Sequence, residues 1–222
     1  MIQKKRFYLF VFFFIIFTTY SLKEPKKIFN IIFPIEEITI EGTRAINLSK
    51  LKIELEFLKK TSLFFLKDKE ITAVTDNYDF IKSIQLKKKY PNTLKIFISE
   101  NIPVATEIDD KKRYYLTKNG KKINYKDLKI FEKLPTIFGN HKNFSSFFNN
   151  LEKSNFDIIN VKAFYYFEVG RWDIVLKDER VIKLPEANYK KILMDVNLLL
   201  KDSNFSKYQI FDYRIKKQLI LQ

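Results

Sequence analysis

Few side chains in this sequence have the chemistry of an acid–base or metal site. His141 is the only histidine among 222 residues, and there is no cysteine. A single His in a Gly-Asn-His-Lys run is typical of a solvated turn, and the lack of Cys excludes thiolate metal sites. The adjacent carboxylates Glu36–Glu37 and Asp109–Asp110 would point to opposite faces of a strand, so neither forms a natural general acid–base pair.

The glycines give no phosphate-binding loop. Gly42, Gly120, Gly139 and Gly170 are too far apart in the sequence for that motif. One alternative stays open: an acid–base pair whose two carboxylates are distant in the sequence and meet only in the fold, as in a glycosidase. We therefore expect no enzymatic activity, cofactor, metal ion or small-molecule substrate, and a function based on binding.

The chain is strongly basic, with a formal net charge of +15. Only six of its forty-one basic residues are Arg, the residue suited to bidentate contacts with phosphates and bases. No recognition helix or stacking platform of aromatic and Arg side chains is evident, so we expect no nucleic-acid partner. A generally lysine-rich composition explains most of the charge, and weak affinity for anionic lipid or cell-wall polymer is the alternative.

The N-terminus contains one long uncharged stretch, residues 7–22, with basic residues on both sides. Sixteen helical residues fall a little short of a hydrocarbon core of roughly 30 Å, and flanking Lys and Arg side chains can cover the gap. A cleaved signal peptide is the alternative, but no small-residue cleavage pattern follows. The sequence favours a cytoplasmic tail at 1–6, a transmembrane signal anchor at 7–22 and a juxtamembrane connector at 23–34.

Residues 35–103 predict the order strand, helix, helix, strand, strand. Leucines at 48, 51, 55 and 58 have helical spacing behind Asn47 or Ser49 as cap, and Asp68 can cap a second helix. Strand alternation surrounds Ile38, and returns around Ile84 and Ile96. This order predicts a small sheet with two helices on one face.

The stretch from Tyr90 to Ala105 reads YPNTLKIFISENIPVA. A turn at Pro91 leads into a strand, and Pro103 ends the run. This sequence resembles the end of the POTRA domain in the bacterial cell-division family FtsQ (DivIB). That resemblance implies a POTRA domain over 35–103.

The region 104–222 predicts a mostly antiparallel β domain with flanking helices, and hence an α+β protein. Asn119-Gly120 is a strong hairpin signal. Strands are predicted at 114–116, 121–123, 161–167, 172–176, 181–184, 209–213 and 218–221, and helices at 144–151 and 189–200. The tripeptides starting at Arg171, Leu184 and Asp212 also resemble FtsQ.

The resemblance implies a divisome scaffold in the bacterial inner membrane, with its bulk outside the cytoplasm and enriched at the division septum. Lys and Arg counts near the two ends of the anchor are equal, so this orientation comes from the family and not from charge. The implied partners are FtsB and FtsL, with FtsW and FtsI as further candidates. A component of POTRA-type transport or envelope assembly, or a membrane-tethered binder of anionic polymers, is the alternative.

Within the family, the last strands bind FtsB and FtsL, which places the candidate site at the end of this chain. Strand addition at an open sheet edge would bring the partner's backbone into register. The candidate residues are Ile210, Asp212, Tyr213, Arg214, Ile215, Leu219 and Ile220. The alternative is structural: the apolar members belong to the core, and Asp212 pairs internally with Arg214.

Overall fold

The fold consists of two units that interleave in sequence. A computed structural model describes residues 2–19, 32–109, 112–140 and 142–222. The described residues of 2–43, 47–77 and 83–98 form the first unit, and those of 44–46, 78–82 and 99–222 form the second. His141 and Asp110, two of the residues considered for chemistry, lie outside the described part of the chain.

Helix α1 (Ile2–Thr19) covers most of the predicted anchor. Near its end the Thr18 hydroxyl donates to the carbonyl oxygens of Phe14 and Ile15, at 3.0 and 3.1 Å. Among the described residues, no helix combines the length and the apolar character needed to cross a membrane. Residues 20–22 of the predicted anchor are not among those described.

A three-stranded sheet and two helices follow in the predicted order. The strands are β1 (Glu37–Glu41), β2 (Ile81–Lys89) and β3 (Thr93–Glu100), and the helices are α2 (Leu48–Glu54) and α3 (Asp68–Thr75). In the sheet the order is β1-β3-β2, with β1 parallel to β3. The strand alternation and leucine spacing of the sequence therefore predicted this part of the fold correctly.

Two local details of the helices differ from the prediction. Asn47 caps α2 as expected, accepting from the Lys50 N–H at 3.1 Å, but the α-helix ends at Glu54 and a 3₁₀ turn covers Glu56–Lys60. Because a 3₁₀ turn repeats every three residues, Leu58 follows Leu55 on the buried side. The predicted cap at Asp68 is wrong: α3 begins at Asp68 itself, where a carboxylate in the first turn favours the helix dipole.

The second sheet has nine strands in the order β12-β11-β10-β9-β8-β7-β4-β5-β6. Its strands are β4 (Pro103–Asp109), β5 (Lys112–Thr117), β6 (Lys122–Asn124), β7 (Thr136–Phe138), β8 (Val161–Phe167), β9 (Arg171–Leu176), β10 (Val181–Lys183), β11 (Ile210–Asp212) and β12 (Ile220–Leu221). Among the described residues, β4–β7, β7–β8 and β10–β11 are parallel and the other five pairs are antiparallel. The sheet is mixed, and the parallel pairs were not predicted.

Helices α4 (Phe144–Lys153) and α5 (Lys190–Leu199) bury their apolar residues in one core with the nine-stranded sheet. Trp172 of β9 lies at its centre and is 1% exposed. Its ring stacks on Phe147 of α4, with centroids 4.4 Å apart and planes at 9°. This core fixes β9 and therefore the segments that follow it.

Two early segments of the chain belong to the second unit. In the segment 78–82, Phe80 stacks on Phe131 at 5.9 Å and meets the edge of Tyr115 at 5.9 Å. In the segment 44–46, the backbone N–H groups of Arg44 and Ala45 donate to the Glu100 carboxylate at 3.0 and 3.1 Å. These contacts join short pieces of chain to a unit that is otherwise formed after residue 98.

Candidate partner-binding site

The last strand, β12, forms one edge of the nine-stranded sheet. It pairs antiparallel with β11, and Phe211 lies opposite Leu221. Ile210 and Gln222 exchange both backbone hydrogen bonds, at 3.0 and 3.1 Å. Because such bonds alternate along an antiparallel pair, the N–H and C=O of Leu221 point away from β11. Among the described residues no strand lies on that side, so this edge can accept one.

Asp212 and Arg214 form the internal ion pair that the structural alternative anticipated. Arg214 Nη2 donates to Asp212 Oδ2 at 2.6 Å, and Nε lies 2.9 Å from both carboxylate oxygens. Asp212 is 6% exposed, whereas much of Arg214 reaches solvent. These hydrogen bonds hold the pKa of the Asp212 carboxyl below its usual value. Asp212 is therefore a support for the turn after β11, and only Arg214 can meet a partner.

The ion pair makes stability depend on pH. A carboxyl whose pKa is lower in the folded than in the unfolded state stabilises the fold above about pH 4, and this stabilisation is lost as the pH falls through the folded pKa. We expect Asp212→Asn to lower the melting temperature by about 2–4 °C at pH 7 and by less at pH 3. Thermal unfolding followed by circular dichroism at both pH values measures the difference.

Asp178→Asn provides the matched control. Asp178 pairs with Arg180 at 2.7 Å, but its side chain is 52% exposed. A solvated pair contributes less, so the loss at pH 7 is expected to be smaller than for Asp212→Asn. A loss for Asp212→Asn that is equal at pH 7 and pH 3 would contradict a contribution from its charge.

Tyr213 lies between Asp212 and Arg214 in the sequence and continues the backbone of β11. Its backbone N–H donates to the Lys183 carbonyl at 2.9 Å, which extends the pairing of β11 with β10. Burial, and then the charge of Asp195, raise the pKa of Tyr213 to about 12. The hydroxyl is buried and has no hydrogen-bond partner among the described residues. An unpaired buried hydroxyl is unusual, and its burial keeps it from contact with a partner at the surface.

A groove of about 860 Å³ lies against the segment between β11 and β12. It is lined by Val169, Arg171, Pro185, Glu186, Ala187, Asn188, Ile192, Asp195, Tyr213, Arg214, Ile215, Lys216, Lys217, Gln218 and Leu219. Its wall includes exposed apolar side chains, notably Val169 and Ile215, and charges of both signs. A groove of this composition can hold an apolar side chain and its polar neighbours.

The structure divides the seven candidate residues into two groups. Tyr213, Arg214, Ile215 and Leu219 line the groove. The remaining three are strand residues: Asp212 is buried, Ile210 pairs with Gln222, and Ile220 is exposed on β12. Whether any of the seven contacts a partner stays a prediction.

Several groove residues were not predicted from the sequence. Val169 precedes β9, and Ile192 belongs to α5. Arg171 begins β9, and its guanidinium lies over the Phe167 ring at 4.2 Å and near the Asp173 carboxylate. Burial raises the pKa of Asp173, although Arg171 and Lys183 oppose that shift. The sequence signals at these positions were the tripeptide that starts at Arg171, noted for its resemblance to FtsQ, and the predicted helix at 189–200, and neither indicated a groove.

Comparison with known proteins shows which proteins this chain is similar to. Residues 33–101 match the family model described as POTRA domain, FtsQ-type. Proteins named cell division protein FtsQ from Rickettsia typhi, Rickettsia prowazekii and Rickettsia conorii are 29%, 28% and 26% identical to it. Each alignment covers 86% of this chain and 73%, 72% and 72% of the relatives, respectively. The chain is therefore similar to FtsQ proteins over most of its length, and its first unit matches the FtsQ-type POTRA domain.

The FtsQ-type match covers β1 to β3 with both intervening helices, so the predicted POTRA domain is confirmed. The groove and the β12 edge lie beyond this range. The FtsQ relatives are named as cell-division proteins. The partners and the route of binding are matters for proposal.

Proposed function

We propose that this chain is a divisome scaffold, held in the cytoplasmic membrane by one N-terminal helix, whose folded units bind other division proteins outside the cytoplasm. The names of its relatives support the division role. The uncharged run at 7–22, with basic residues on both sides, supports the anchor. In this role the protein recruits and positions partners at the septum and carries out no reaction itself.

The observation that carries the binding proposal is the proximity of an open strand edge and a groove. The outward N–H and C=O of Leu221 can pair with an extended partner, and the groove beside Ile215 and Leu219 can accept its side chains. FtsB and FtsL are the proposed partners, with FtsW and FtsI as further candidates.

The two parts of the site have different roles. Each backbone hydrogen bond contributes only about 0.5–1.5 kcal/mol net, and β12 has two residues. Strand addition therefore orients the partner but gives little affinity. Apolar contacts in the groove provide most of the affinity and the selection of the partner.

Substitutions at Leu221 test strand addition in the full-length chain. Leu221→Pro removes the outward N–H and leaves the bonds of Ile210 with Gln222 in place, a position where an edge strand tolerates proline. We expect its affinity for FtsB from the same organism to fall about two- to tenfold, the effect of one lost backbone hydrogen bond. Leu221→Ala is the matched control, because it loses the same side chain but keeps the N–H. Biolayer interferometry with detergent-solubilised protein measures both.

Ile215→Glu tests the groove independently. Ile215 is 51% exposed, so the substitution leaves the core intact and introduces a charge among the groove's apolar side chains. Arg214→Glu is less suitable, since it would place two carboxylates together at Asp212. Undiminished binding of FtsB by folded Leu221→Pro and Ile215→Glu proteins would reject the site. Failure of the unsubstituted chain to bind either FtsB or FtsL would reject the partners.

A further inference from the structure

The first unit exposes a cluster of large apolar side chains at one end of its sheet. Phe64 is 63% exposed, and four other residues are 39–50% exposed. We call this cluster the aromatic patch; its members are Ile32, Phe33, Phe64, Phe65 and Tyr90. Exposed apolar clusters of this kind usually mark an interaction surface.

Backbone hydrogen bonds fix the patch in place. The segment 32–35 runs beside 61–64: the Leu63 N–H donates to the Phe33 carbonyl at 2.9 Å, and the Ser62 hydroxyl to that of Ile32 at 2.6 Å. The Tyr90 ring meets the edge of Phe33 at 4.9 Å. Phe64 and Phe65 contact each other at 5.0 Å. The patch is therefore a built surface of the folded unit.

Lysines surround the patch. The three segments that form it, 32–35, 57–67 and 86–92, contain six Lys and no Asp or Glu. Lys88 Nζ donates to the Leu66 carbonyl at 3.3 Å, which holds its aliphatic stem against this part of the unit. Glu36, Glu56 and Asp68 lie just beyond the segment ends, so the region keeps an excess of three positive charges. Apolar rings rimmed by lysines complement an anionic lipid surface.

The covalent chain limits how far the patch can be from the membrane. Nine residues, 23–31, separate the uncharged run from Ile32. A fully extended chain spans at most about 3.3–3.6 Å per residue, so the patch stays within roughly 35 Å of the anchor's end. This reach holds the patch at a high local concentration beside the bilayer, where weak contacts are sufficient.

We propose that the aromatic patch binds the surface of an anionic phospholipid bilayer. This inference rests on the proposed function for the N-terminal anchor. Phe and Tyr rings lie at the boundary between headgroups and acyl chains, and the lysines meet lipid phosphates. Binding at two places, the anchor and the patch, orients the first unit against the membrane.

A fluorescent probe tests this proposal in the full-length chain. Trp172 is the only tryptophan and is buried, so the unsubstituted protein provides a constant background. The probe is Phe64→Trp, in lipid nanodiscs whose acyl chains carry bromine, which quenches nearby indoles. In discs rich in phosphatidylglycerol we expect the added emission to shift to shorter wavelength and to fall about twofold, because the ring enters the interface.

Asn77→Trp is the matched control. Asn77 is exposed and precedes β2, whereas Tyr90 follows its far end. Nine strand residues span about 30 Å, so a probe at Asn77 should not be quenched when the patch contacts lipid. Brominated discs of phosphatidylcholine should quench the emission of Phe64→Trp less than brominated anionic discs do.

The outcomes separate this inference from the proposed anchor. A chain that fails to enter the discs overturns the anchor and the inference with it. A chain that enters the discs while its Phe64→Trp emission ignores brominated lipid overturns the inference alone and leaves the patch to a protein partner. Equal quenching in phosphatidylcholine would overturn the selection of anionic lipid.

Discussion

Replacing Trp172 with alanine is expected to lower the free energy of unfolding by about 3–5 kcal/mol, the usual cost of truncating a buried Trp. The side chain is almost wholly buried and stacks on Phe147, so its removal leaves a cavity between β9 and α4. Urea unfolding monitored by circular dichroism measures the loss, because the substitution removes the only tryptophan and with it the tryptophan fluorescence.

Ile159→Ala is the control for this substitution. Ile159 is 82% exposed and should change stability by no more than about 0.5 kcal/mol. Similar losses for Ile159→Ala and Trp172→Ala would contradict the central position of Trp172 in the core. Because Arg171 precedes Trp172 and lines the groove, we also expect Trp172→Ala to disturb the candidate site.

Replacing Gly139 with alanine is expected to destabilise the fold by about 2–4 kcal/mol, from a strained backbone and a steric overlap together. Gly139 follows β7 with φ of +95°, a region that residues with a Cβ rarely adopt. A Cβ atom there would overlap the carbonyl oxygen of Tyr166 in β8. Since that oxygen is backbone, relief requires the strand itself to move.

Gly120→Ala separates the two causes. Gly120 has a φ of +79° in the turn between β5 and β6, but a Cβ there would meet nothing within 4 Å. Its loss should therefore contain only the backbone term, about 1–2 kcal/mol. Equal losses for Gly139→Ala and Gly120→Ala in urea unfolding would show that the overlap with Tyr166 contributes nothing.

The elements of the first unit were predictable because their signals are local. Leucine spacing predicted α2, and strand alternation predicted β1, β2 and β3. The boundaries were less certain, as the α-helix ends at Glu54 and the leucine stripe continues through a 3₁₀ turn. Periodicity shows which residues face the core and does not separate these two helical forms.

The nine-stranded sheet was harder to predict because its order depends on distant pairings. Strand β4 was missed since Pro103 indicated an end, although proline is also permitted as the first residue of a strand. Strand β7 has three residues, too few for an alternation pattern. Its parallel pairings with β4 and β8 join segments far apart in the sequence, and no local pattern encodes them.

Only part of the candidate site was predicted, because some of its residues are close in the sequence and others are far apart. The terminal strands and the Asp212–Arg214 pair follow from short spacings in one stretch of sequence. The groove does not, because Val169, Ile192 and Ile215 come from three separate segments that only the folded core brings together.

The contribution of 44–46 and 78–82 to the second unit bears on how the protein can be dissected. A C-terminal fragment that begins after the FtsQ-type match would lack Phe80. The faces of Tyr115 and Phe131 that Phe80 covers would then be exposed. The same cut removes Glu100 from the second unit, together with the Arg44 and Ala45 N–H groups that donate to its carboxylate. Truncation at that point therefore removes part of the second unit instead of releasing that unit intact.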